Sequence, residues 1–172
     1  MDGLRLVQDV VLVAFVVTII VTDWRSRRIP NVVTYPTMVV GLVLGGVESL
    51  GSAGFPGGVG SGGILDHVAG LAIAFLVSYP FYAAGGLKAG DAKFLMAVGA
   101  LKGTAFLLVA AAYGALIGGV IALGFIVARR VAASRAGERT TVGALLHTWI
   151  PYGVALGMGA LVALAVELSR IS

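Results

Sequence analysis

Residues 21–31 read Val21-Thr22-Asp23-Trp24-Arg25-Ser26-Arg27-Arg28-Ile29-Pro30-Asn31. An apolar run that begins near Leu4 ends here on an acid and three arginines, and a second apolar run starts directly after the proline. A bilayer core of about 30 Å needs about 20 apolar residues per helix. Both runs meet that length, so the stretch reads as a tight polar link between two membrane-spanning helices. Pro30-Asn31 marks the start of the second, because proline fits a first helical turn and blocks continuation of a helix into it. The first run reads as a retained helix and not as a signal peptide. Asp2 and Asp9 spoil a basic leader region, and the positive flank follows the run.

The pattern repeats along the chain. Apolar segments at about 4–23, 31–50, 65–84, 89–102, 104–128 and 149–169 predict an all-α, polytopic membrane bundle of about six helices in one domain, 1–172. Composition agrees: 59% of residues are hydrophobic and 12% charged, against about 25% charged in a soluble domain. The fourth segment is short, roughly 20 Å of helix, and Lys102-Gly103 marks the expected break before the fifth. Residues 51–63, rich in Gly and Ser, read as a flexible loop without chemistry. The spacings Gly41/Gly45, Gly99/Gly103, Gly114/Gly118 and Gly153/Gly157 suit close helix packing.

The chain has no cysteine. That excludes disulfides, thiolate catalysis, zinc–thiolate sites and iron–sulfur clusters. His67 and His147 lie far apart in sequence, so no metal or other cofactor is expected. The net charge of +4 would suggest nucleic acid for a soluble protein. Here the position of the charges matters more. The links at 24–30, 85–93 and 129–148 fall on one side of a six-span bundle. They hold Arg25, Arg27, Arg28, Lys88, Lys93, Arg129, Arg130, Arg135 and Arg139, nine of the 12 basic residues. The positive-inside rule assigns that side to the cytoplasm and both termini to the outside. Topology and anionic lipid account for these charges, so membrane lipid is an expected partner and nucleic acid is not.

This orientation sorts the acids. Asp2, Asp9, Glu48, Asp66 and Glu167 fall near the outer face. Glu138 sits in a polar stretch and reads as solvated. Asp23 and Asp91 are then the cytoplasmic acids at helix ends. Each has an ordinary explanation: Asp23 as a partner for a nearby arginine, Asp91 as a helix N-cap. Their contexts go further. Asp91 follows Gly85-Gly86-Leu87-Lys88-Ala89-Gly90, whose glycines permit positive φ or a close backbone approach. Lys88 and Lys93 can act on its charge or hold substrate, and Asn31 can orient a carboxylate. Carboxylates near hydrocarbon mark functional sites. Two brought together share a proton, so that one can activate water while the other donates to the carbonyl oxygen or leaving amine. In His147-Thr148-Trp149-Ile150-Pro151-Tyr152-Gly153, the aromatic residues read as an interfacial belt and His147 as part of it.

Asp23 with Arg28-Ile29-Pro30-Asn31, then Gly86-Leu87-Lys88-Ala89-Gly90-Asp91-Ala92-Lys93, then Pro151-Tyr152-Gly153 resemble, in order, the motifs of the type IV prepilin peptidases. The resemblance spans most of the chain. It implies a Gly-x-Gly-Asp type membrane aspartic endopeptidase with Asp23 and Asp91 catalytic, supported by Gly90, Lys88, Lys93, Asn31, Pro30 and Tyr152. It implies no metal or cofactor, and a prepilin or pseudopilin substrate cut at the cytoplasmic face of the inner membrane. The chain departs from the motif at Lys88-Ala89-Gly90-Asp91, where Ala89 keeps a small residue with less backbone freedom than glycine. It also lacks the cysteines and the length for a methyltransferase region, so it is similar to the short members tied to Flp-type pili or archaeal-type filaments. Two other readings stand beside this one. Presenilin-like proteases share Gly-x-Gly-Asp, but carry Pro-Ala-Leu where this chain has Pro-Tyr-Gly. A small ion-coupled transporter or assembly subunit predicts acids near the midplane and an internal repeat.

Overall fold

A computed structural model of the protein describes residues 2–51, 58–136 and 152–170. It is all-helical over these residues, in the order α1 (Asp2–Ser26), α2 (Asn31–Gly51), α3 (Ile64–Ala83), α4 (Ala89–Ala136) and α5 (Tyr152–Ser169). All five are long and apolar enough to cross a membrane.

Five helices are able to span a membrane against the six expected, because the fourth and fifth segments follow each other without a loop and meet at a kink within α4. The break falls where Lys102-Gly103 placed it. Gly103 has φ 78 and ψ −175 inside the helix, a conformation open to glycine and costly for other residues. The chain doubles back there. Lys102 reaches Asp9 at the start of α1, whereas Gly114 packs on Leu156 and Gly118 approaches Ala155, toward the first turns of α5. A second difference lies further along. Residues 129–136 continue α4 and are not a loop, since Ala and Arg favour helix and no Gly or Pro intervenes before Gly137. Glu138, Arg139, His147, Trp149 and Pro151 lie outside the described residues.

Two adjacent residues of α3 fill the break. The Thr104 N–H, which would ordinarily bond the Ala100 carbonyl, donates instead to Asp66 Oδ1 at 3.0 Å. The Ala100 carbonyl accepts from His67 Nδ1 at 2.7 Å. Asp66 and His67 thus complete both halves of a lost helical bond, as buried backbone groups require. Asp66 also accepts the Gly60 and Gly62 N–H groups, at 2.7 and 3.3 Å. Residues 58–63, read as a loop without chemistry, are therefore anchored to α3.

Each helix presents one face to the core. On α1, Leu12, Phe15, Val16 and Ile19 are buried while Val10, Val13, Val17 and Val21 are exposed. Exposed apolar faces of this kind are what lipid covers. Between helices small residues allow backbones to approach, as packing in lipid favours. A Cβ at Gly70 or Gly99 would collide with the backbone of the other. The glycine spacings noted in the sequence thus serve contacts within the chain. Lys102 pairs with both Asp9 and Glu167, which puts the start of α1 and the end of α5 at the same end of the bundle. The α1–α2 and α3–α4 links lie at the opposite end.

Candidate active site

The α1–α2 link begins with a strained residue. α1 ends at Ser26, and Arg27 follows with φ 55, in the left-handed region. Glycine is usual at such a helix end; a non-glycine residue held there costs about 1–3 kcal/mol. The Arg27 N–H donates to the Asp23 carbonyl at 2.9 Å, and the Pro30 carbonyl accepts from Val33 and Thr34, which opens α2. Four residues, Arg27 to Pro30, therefore join the two helices. The turn carries Ile29 onto the start of α4, where a Cβ at Gly90 would stand 3.1 Å from Ile29 Cβ. Glycine at position 90 is explained by this close packing.

The α3–α4 link is built differently. Gly85 has φ 75, and the Gly86 N–H donates to the Phe81 carbonyl at 2.9 Å. α4 then starts at Ala89, so Asp91 is its third residue and not its N-cap. The Asp91 carboxylate reaches back to accept the Lys88 N–H at 3.2 Å, one half of a capping box. Neither Lys88 nor Ala89 has positive φ, since Arg27 is the one non-glycine residue so placed among the described residues. Ala89 is exposed in the first helical turn. The departure from Gly-x-Gly-Asp therefore demands no backbone conformation that lysine or alanine resists.

These two links meet. Asp23 and Asp91 are 6% and 3% exposed, and both line one cavity of about 250 Å³ with Arg27, Arg28, Ile29, Lys88 and Gly90. Two buried carboxylates from helices distant in sequence thus face a small space rimmed by three exposed cations. Asp23 Oδ2 is buried and has no hydrogen-bond partner among the described residues. A buried acid oxygen without a donor is costly, and such an atom suits a ligand or a water.

The other sequence-predicted residues stand further out. Lys93 Nζ donates to Asn31 Oδ1 at 2.9 Å and lies 5.2 Å from the Tyr35 ring centroid. Lys93 and Asn31 therefore tie α4 to α2 and do not line the cavity. Pro30 shapes the link, and Tyr152 is half-buried at the start of α5. The neighbour of Tyr152 matters more. A Cβ at Gly153 would stand 2.7 Å from Asp23 Oδ2 and 2.8 Å from its Cγ. Gly153 was legible as part of Pro151-Tyr152-Gly153, but its contact with Asp23 was not. Among the described residues no group of three or more His, Asp or Glu is placed to hold a metal.

No curated protein and no solved structure matches the chain. A family model does, over residues 10–123. The matched region is most of the chain and contains Asp23, Asp91 and both links that bring them together. On that match, this multi-pass membrane protein belongs to the type IV leader peptidase family.

Proposed function

We propose that the protein is an aspartic endopeptidase that removes the short basic leader of prepilins or pseudopilins at the cytoplasmic face of the inner membrane. The observation that carries this reading is the convergence of buried Asp23 and Asp91 on one cavity. Family membership supports a peptidase. The position of the acids at one end of the bundle suits a bond at the membrane edge, where a leader joins its apolar helix.

The chemistry follows from the pair. The reaction asks one carboxylate to act as base and the other as acid. The ionised carboxylate takes a proton from water as its oxygen adds to the scissile carbonyl carbon. The protonated carboxylate donates to the carbonyl oxygen. Proton transfer to the amide nitrogen then breaks the C–N bond, releasing the leader acid and the new amine. Gly90 and Gly153 let Ile29 and Asp23 approach, and Lys88 and Asn31 hold the helix starts. The cationic rim repels a basic leader, and the two carboxylates and anionic lipid offset that repulsion.

The test is co-expression with a candidate prepilin and a gel shift for leader loss. Asp23→Asn and Asp91→Asn should each abolish processing while still inserting. Cleavage by either at near wild-type rate would sink the assignment.

A further inference from the structure

The end of the bundle opposite the aspartates is also polar. Lys102, the last residue before the break in α4, is 4% exposed, with Nζ 2.7 Å from Asp9 Oδ1 and 3.0 Å from Glu167 Oε2. Asp9 belongs to α1 and Glu167 to α5. One buried ammonium therefore ties together three helices: α1, which carries Asp23; α4, which carries Asp91; and α5, which carries Gly153.

We propose that Lys102 is a positioning residue for the aspartate pair, acting from the far end of these three helices. The proposal rests on the reading of Asp23 and Asp91 as a working pair. Three observations support it. First, the paired positions lie nearly whole numbers of turns apart, about four from Asp9 to Asp23 and from Gly153 to Glu167, and about three from Asp91 to Lys102. Each helix thus turns one face both to the ion pairs and to the acids. Second, α1 and α4 meet between these ends through Phe15 and Phe94, whose rings stack with centroids 5.2 Å apart. A rotation of α4 on α1 about this contact would turn a displacement at Lys102 into one of Asp91 relative to Asp23. Third, Lys102→Met would remove the buried cation that stands between Asp9 and Glu167. The two acids would then repel each other and push α1 and α5 apart.

The chain has no native cysteine, so spin labels can be placed cleanly. Trp24→Cys and Ala89→Cys, both exposed positions, flank the pair without belonging to it. With Lys102→Met added, the label-to-label distance should shift or broaden by about 2 Å or more, and kcat per folded molecule should fall about 10- to 100-fold with KM within about two-fold. Lys102→Arg should restore most of both. Asp9→Asn keeps the Lys102–Glu167 pair and should move both readouts the same way by less; it decides the matter if Lys102→Met does not fold. An unchanged distance overturns the proposal, as does a changed distance with kcat per folded molecule within two-fold of wild type. If the unsubstituted protein cleaves no prepilin, the peptidase reading fails by itself, and the distance measurement still tests the coupling between the two ends.

Discussion

Gly153 lies against Asp23 so closely that any Cβ there would stand 2.7 Å from the carboxylate oxygen Oδ2. The side chain of Asp23 is thus wedged between its own helix and the first turn of α5. Its direction is set by an absent side chain.

Gly153→Ala should therefore act on activity. The added methyl cannot retreat, because it is fixed to a helical backbone, so Asp23 must turn. We expect kcat to fall about 10- to 100-fold, since an ångström of misplacement carries that scale of penalty. The protein should be destabilised by about 1–3 kcal/mol from overpacking. Single-turnover cleavage of a prepilin, with thermal unfolding in detergent, measures both.

Asp91 should separate chemistry from capping. Asp91→Asn keeps an oxygen that can accept the Lys88 N–H, so its stability should match wild type while processing is lost. Asp91→Ala should be equally inactive and also lose about 1 kcal/mol. Unfolding midpoints of the two variants give the comparison; equal midpoints would remove the capping contribution.

Ala89→Gly tests whether the turn before Gly90-Asp91 needs a second glycine. Ala89 is exposed and helical, so glycine there should leave the cleavage rate within about two-fold and cost about 0.5–1 kcal/mol of helix stability. A gain of ten-fold or more would mean that the position needs glycine for catalysis.

Asp66→Ala should damage the fold far from the cavity. It leaves the Thr104, Gly60 and Gly62 N–H groups without their acceptor, at about 1–3 kcal/mol for each donor that stays buried. Asp66→Asn, which keeps one acceptor oxygen, should lose less. The expected signature is a lower unfolding temperature, with Asp66→Asn between Asp66→Ala and wild type.

Sidedness can be read with the same cysteine-free background. Cysteines at Ala89 and Ser61, both exposed and at opposite ends of the bundle, should react with an impermeant maleimide from opposite sides of the membrane. Labelling of position 89 from the outside would invert the proposed orientation.

The membrane class, the all-helical fold, four of the helices to within a few residues and the break at Gly103 were all legible in the sequence, which also singled out Asp23 and Asp91. The physical reason is that lipid demands long apolar runs and internally paired backbone, and both demands are local. An acid beside such a run stands out without any knowledge of its neighbours. What the tertiary structure decided concerns partners across helices. It joined the fourth and fifth segments through Asp66 and His67, which replace a helical bond between residues 100 and 104. It turned Lys93 and Asn31 toward each other, and it set Gly153 against Asp23. It also gathered Asp9 and Glu167, read from the sequence as outer-face acids, around the buried ammonium of Lys102. Such contacts depend on helix rotation and crossing, which arise from packing among all five helices. No single segment carries that information, because a helix shows its neighbours only one side, and which side is settled when they assemble.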